Sequence, residues 1–196
     1  LSDKGDKVLP NPDEKLDPRV IRTRGLILKS FEDLLADKGF ESISVQDVTD
    51  KAQVNRATFY AHFPDKYALL DYSIQKMFMA EIEKRTLNVC SYSQDNLRNL
   101  ILAVVEFLSH LHTGCAQPHQ HFESLVEGTI KKQIFDLLSY WLRKSKLPTE
   151  LPATVATWAI YGLASHYSHM KKRPALEKFV DEAFPLVAVN LEQFAR

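Results

Sequence analysis

Cysteine and glycine are scarce in this chain, and charge of neither sign predominates. Two cysteines, Cys90 and Cys115, are too few for a disulfide framework, so a reducing cytosol is the expected compartment. Six glycines in 196 residues, with few runs of alternating polarity, argue against an all-β architecture. The N-terminal stretch LSDKGDKVLPNPDEK has no apolar core, so it is neither a signal peptide nor a membrane span. Its charge, its prolines and its lack of periodicity predict a disordered leader over residues 1–16. The 25 basic and 25 acidic side chains cancel, so bulk charge does not point to nucleic acid. Catalytic signatures are missing as well: there is no glycine-rich phosphate loop, nucleophile elbow or H-E-x-x-H helix. Paired acids such as Glu32-Asp33 fall on the polar side of an amphipathic helix. The expectation is therefore neither an enzyme nor a cofactor protein.

What is present is helical. Hydrophobic residues make up 45% and charged residues 26%, an ordinary globular balance. Asp17-Pro18 joins a good N-cap to a residue favoured at the first helical position. Ile27, Phe31, Leu34 and Leu35 then form one apolar face, and Gly39 marks the stop. Lys15, Arg19, Arg22, Arg24 and Lys29 oppose Asp17 alone in this stretch, which suits phosphate contact or, equally, a solvated helix face.

The segment ESISVQDVTDKAQVNRATFYAHFPDK carries most of the information. Ser44 and Asp47 make a capping-box variant ahead of a short helix with Val45, Val48 and Ala52 facing inward. The chain must turn after Gln53-Val54, and Asn55 is placed to cap a second short helix that Phe63-Pro64 closes. Asp65 caps a fourth helix, with Leu70, Ile74, Met77, Phe78 and Ile82 at helical spacing. Two short helices joined by a tight turn and braced by a longer one constitute a helix-turn-helix. In the second short helix Phe59 points to the core, which leaves Asn55, Arg56, Ala57 and Thr58 for base edges in the major groove. Tyr60, His62 and Lys66 are candidates for phosphates, and Arg22 and Ser44 complete the expected DNA-binding set.

These residues resemble the N-terminal domain of the tetracycline-repressor (TetR) family of bacterial regulators. The matching positions are Phe31, Lys38-Gly39-Phe40, Ser44-Val45, Asp47-Val48, Ala52, Val54, Thr58-Phe59-Tyr60, His62-Phe63 and Lys66, and the detailed match covers about a quarter of the chain. One departure is Gln53, where the family usually has glycine; a left-handed backbone there would cost about 1 kcal/mol. The resemblance implies an all-α protein: a DNA-binding domain over residues 17–64 and a helical ligand-binding and dimerisation domain over 65–196. It further implies a cytoplasmic homodimeric repressor, bound to a near-palindromic double-stranded operator and released by a small molecule. A helical sensor or adaptor that kept this fold but lost DNA binding is the alternative.

Beyond residue 65 the pattern stays helical, with breaks near Pro118 and between Pro148 and Pro152 and a kink expected at Pro185. The resemblance places the dimer interface on the last two helices, with Trp158, Gly162, Phe184 and Val187 as candidates. Phe78, Phe107, Trp141 and Tyr161 are candidates for the ligand-pocket lining, or are ordinary core aromatics. His110, His112, Cys115, His119 and His121 form a dense group of metal-type ligands. Their spacing matches no standard structural zinc pattern, so no metal is expected.

Overall fold

A computed structural model describes residues 13, 16–85, 91–114 and 120–192, and among these it contains eight helices and no strand. They are α1 (Pro18–Lys38), α2 (Val45–Ala52), α3 (Arg56–His62), α4 (Lys66–Arg85), α5 (Gln94–Gly114), α6 (Gln120–Lys144), α7 (Glu150–His169) and α8 (Leu176–Glu192). The all-α expectation holds. Of the described helices, none is long and apolar enough to cross a membrane.

The helix ends follow from local chemistry. Asp17 Oδ1 accepts from the Arg19 N–H at 2.7 Å, with Pro18 at the first helical position. Gly39 ends α1 with φ 72°, a conformation cheap only for a residue without Cβ. At α2 the Ser44 hydroxyl accepts from the Asp47 N–H, and the Asp47 carboxylate accepts from the Ser44 N–H at 2.7 Å. Lys38 reaches the same carboxylate at 2.9 Å, joining the end of α1 to the start of α2. The Ser44 hydroxyl, the Lys38 ammonium and the Ser44 N–H together hold Asp47 well below the usual carboxylate range. Gln53 does adopt the left-handed backbone, with φ 54° and ψ 41°. That turn frees Asn55 to cap α3, its Oδ1 accepting from the Thr58 N–H at 2.7 Å. Asp65 caps α4 in the same way through the Ala68 N–H at 2.8 Å.

The chain divides into two compact units, and the division falls within α4 and α6 and at the last residue of α5. One unit, Pro10–Met77 with Gly114–Thr129, holds α1 to α3 and the first parts of α4 and α6. Its core is Ile27, Phe31, Ile43, Val48, Phe59, Leu69 and Leu70, with Phe31 edge-on to Phe40 and Phe63 tilted against Tyr72. Val48 and Ala52 face inward as expected, whereas Val45 is half-buried and Thr49 takes an inward place. The other unit, Phe78–Thr113 with Ile130–Arg196, packs Leu100, Ile101, Val104, Ile134, Leu138 and Trp141 inside. In α8 the i, i+3, i+7, i+11 stripe of Val180, Ala183, Val187 and Leu191 is buried. Arg98 of α5 fastens α8 through Glu177 and Asp181, each at 2.7 Å.

Candidate nucleic-acid interface

α3 is seven residues long, and its periodicity sorts it into two sides. Phe59 is fully buried against Phe63 and Tyr60, and Thr58 and His62 are half-buried beside it. Arg56, Ala57, Tyr60 and Ala61 are exposed; at 100° per residue they span one continuous arc of the helix. Ala61 was not among the sequence candidates. Its exposure beside Tyr60, on the side away from the buried Phe59, places it on the outward arc. Within the exposed arc the Arg56 guanidinium donates to the Tyr60 hydroxyl at 3.4 Å and lies 6.0 Å from the Tyr60 ring centre. This contact pre-orders two long side chains on the outward face.

Several expected contact residues have local duties as well. Asn55 Oδ1 is engaged as the cap of α3, so it is not free to accept in a two-pronged contact with adenine. The Ser44 hydroxyl both accepts from Asp47 N–H and donates to the Asp47 carboxylate, although the residue is exposed. Arg22 is exposed on α1. Lys66, expected at a phosphate, turns its ammonium to three backbone carbonyls instead: Phe40 and Glu41 at 3.2 Å and Ile43 at 3.0 Å. An ammonium has three N–H donors, and these three bonds use all of them. Its Nζ also lies 4.6 Å from the Phe40 ring centre. Lys66 therefore braces the loop between α1 and α2.

His62 ends α3, half-buried. Burial, with the positive charge of Arg24 adding to it, lowers its pKa below the ordinary histidine value. Arg24 belongs to a cluster that sequence reasoning missed. Its guanidinium stands 5.4 Å from the Phe63 ring centre and 5.3 Å from that of Tyr72. The Asp13 carboxylate accepts from Arg24 at 3.4 Å, from Lys76 at 3.1 Å and from the Tyr72 hydroxyl at 2.6 Å. Burial alone would push the Asp13 carboxyl up, but the hydrogen bonds from Tyr72, Lys76 and Arg24 and the Lys76 charge outweigh it and bring it down. Burial and the adjoining Asp13 push the Tyr72 hydroxyl up, so it remains a donor. Asp13 lies in the stretch expected to be a disordered leader, yet it is buried.

In the second unit, Phe78 and Phe107 are brought together edge-to-face at 5.2 Å, and Trp141 is fully buried with no hydrogen-bond partner for its indole N–H among the described residues. Tyr161 is apart from that set in character: half-buried, it shares the Lys131 ammonium with Trp158, at 5.3 and 3.4 Å from the two ring centres. An open depression of about 410 Å³ is lined instead by Glu81, Lys84, Arg85, Glu106 and His110. Of the interface candidates, Trp158 is 61% exposed and Gly162 is exposed, while Phe184 is half-buried. Val187 is fully buried in its own chain and has no area to offer a partner. The exposed neighbours on α8 are Leu186 and Val189, which belong with Leu151 and Val155 of α7 among the large exposed apolar side chains. Of the metal-type group only the His110 side chain is described. Cys115 and His119, and the side chains of His112 and His121, lie outside the described residues.

Residues 27–72 match the sequence model of the bacterial regulatory proteins, tetR family. Over 120 residues the chain is 35% identical to an uncharacterized HTH-type transcriptional regulator, YxbF, of Bacillus subtilis (strain 168), covering 59% of this chain and 30% of that protein. Over 58 residues it is 34% identical to DhaS of Lactococcus lactis subsp. lactis (strain IL1403), the HTH-type dhaKLM operon transcriptional activator, covering 30% of this chain and 31% of DhaS. The chain thus matches about a third of the length of each of these relatives. The fold is similar to that of a TetR-family regulator from Streptomyces coelicolor A3 at a TM-score of 0.61 and 15% identity, covering 96% of this chain and 99% of that one.

Proposed function

Since this chain carries the N-terminal domain of the tetR family of bacterial regulatory proteins, we propose that it is a DNA-binding transcriptional regulator that docks α3 in the major groove. The observation that carries this is the outward arc of α3, where Arg56, Ala57, Tyr60 and Ala61 are exposed around a buried Phe59. Arg56 would read guanine, the alanines would meet thymine methyls, and Tyr60 and His62 would hold phosphates. Asn55 retains only its amide donor for DNA, with Thr58 beside it. Arg22 and Ser44 are further contacts from α1 and the start of α2. Lys66 supports the head without touching DNA.

The regulator works as a homodimer. On α7, Leu151, Val155, Trp158 and Gly162 recur at i, i+4, i+7 and i+11, one stripe of exposed residues. Leu186 and Val189 add exposed apolar surface on α8, and exposed apolar surface of this kind is what a second copy would cover. Two-fold pairing would set two α3 helices about one DNA turn, roughly 34–36 Å, apart and call for a near-palindromic operator.

A small molecule taken up by the helical unit releases the operator by binding more tightly to the DNA-free state. Support for a ligand comes from buried polar groups without hydrogen-bond partners among the described residues: Gln133 Nε2, Trp141 Nε1 and Thr157 Oγ1. Repression is the proposed sign, although DhaS is named an activator, and a reporter strain decides it: deletion of the gene raises transcription beside the operator if the protein represses.

DNA binding itself is tested by titrating the protein with double-stranded fragments across a salt series. A regulator loses affinity steeply as salt rises, and Arg56→Ala weakens it. A folded protein that binds no fragment at low salt is a sensor or adaptor instead.

A further inference from the structure

Trp158 is an exposed indole in the middle of the α7 stripe, and a lysine from another helix sits on it. Lys131 of α6 places its Nζ 3.4 Å from the Trp158 ring centre and 5.3 Å from that of Tyr161. An ammonium that close lies over the face of the indole, because in the ring plane the edge atoms would stop it farther out. One face of Trp158 is therefore taken by Lys131. The opposite face and the edges make up the surface that the side chain, 61% exposed, still presents. An indole this exposed would otherwise sample several rotamers, and the cation holds one of them.

What covers the open face follows from the rest of the helix. α7 is acidic in its first turn, at Glu150, and carries His166 and His169 in its last, with the exposed Lys171 and Lys172 just beyond. A second copy of α7 laid antiparallel on the first joins these unlike ends and opposes the two helix dipoles. The register that brings Glu150 beside His169 also brings Trp158 beside Gly162. A Cβ added at Gly162 would meet nothing within 4 Å, so that position leaves room for an indole. Resting on the homodimer proposed above, we infer that Lys131 is a positioning residue of the dimer interface: it holds the Trp158 indole in the orientation that the second copy covers. α6 thereby contributes to an interface that the resemblance assigns to the last two helices alone. The pair strengthens as the interface closes, because a cation is held more firmly over an aromatic face once water is excluded.

The dissociation constant of the dimer is measured by sedimentation of the labelled full chain without DNA, for wild type, Lys131→Met, Lys131→Arg, Trp158→Ala and the Lys131→Met, Trp158→Ala double variant. Methionine keeps most of the stem and loses the charge. With about fivefold gained on desolvation at each of two symmetry-related contacts, Lys131→Met should weaken the dimer about 25-fold. Lys131→Arg, whose guanidinium also stacks on indole, should stay within about threefold of wild type. In a Trp158→Ala chain, Lys131→Met should change the constant by less than about twofold, since its partner is gone. Trp141, the other tryptophan, is fully buried, so acrylamide quenching reports Trp158 and should rise on dilution to the monomer. An unchanged or tighter dimer in Lys131→Met would overturn the inference, as would quenching that does not rise on dilution. The same loss with and without Trp158 would also overturn it, by showing a charge effect independent of the indole. Should Lys131→Met not fold, Lys131→Gln carries the same expectation. A wild-type chain that stays monomeric at every concentration would remove the homodimer itself and this inference with it.

Discussion

Replacing Lys66 with methionine separates two roles that a basic residue at the head of α4 can play. The structure commits its ammonium to the carbonyls of Phe40, Glu41 and Ile43, at 3.0 to 3.2 Å. Hydrogen bonds to a charged group contribute about 1.5–3 kcal/mol each, but three sharing one half-exposed ammonium do not add. Methionine keeps most of the stem packing and leaves three carbonyls short of a donor, so a loss of about 2–3 kcal/mol is expected. In a domain of this size that lowers the melting temperature by roughly 5–10 °C. Salt dependence gives the second axis. As a brace, Lys66 neutralises no phosphate, and the slope of log K against log salt should stay that of wild type at a temperature where the variant is folded. An unchanged melting temperature together with a slope shallower by about 0.9 would refute the brace and return Lys66 to the phosphate backbone.

Gln53→Gly should raise stability by roughly 0.5 kcal/mol in thermal melts, since relief of about 1–2 kcal/mol at φ 54° is partly offset by the freer unfolded chain. Gln53→Val, β-branched at the same left-handed position, should destabilise. Arg56→Ala and Tyr60→Ala should each weaken binding to an operator duplex by about 1–3 kcal/mol while leaving the melting temperature alone; unfolding of both would assign them to the core. His62 has a lowered pKa and is mostly neutral in the free protein near pH 7.5. A phosphate favours its charged form and raises that pKa, so binding takes up a proton and tightens as the pH falls from about 7.5 to 6. His62→Gln should flatten that dependence, and a wild-type affinity that does not rise over this range would take His62 off the phosphate.

Residues whose role is decided by their neighbours in sequence were legible before the fold was known. Asp17, Ser44, Asn55 and Asp65 cap helices because a short polar side chain reaches its own first turn wherever the helix starts. The left-handed backbone at Gln53 was legible only through the family resemblance, which puts glycine at that turn position. Lys66, Arg24 and Asp13 were not, because their partners lie between 11 and 63 residues away along the chain. Nothing in the local pattern tells a lysine at a helix start whether it will find a phosphate or a carbonyl. Val187 failed for another reason. From Phe184 to Val189 every residue is apolar or proline, so the run has no period of its own to show which side faces in. Once Val180, Ala183 and Leu191 set the inward stripe, Val187 falls inside it and Leu186 and Val189 fall outside. On α7, by contrast, the polar and small residues between Leu151, Val155 and Trp158 leave a clean stripe.

The most direct test of the central claim is recovery of genomic DNA fragments by the purified protein, followed by sequencing. The account predicts a recurring near-palindrome with half-site centres about 10 base pairs apart, lost in Arg56→Ala. A folded dimer that enriches no sequence at low salt would contradict it.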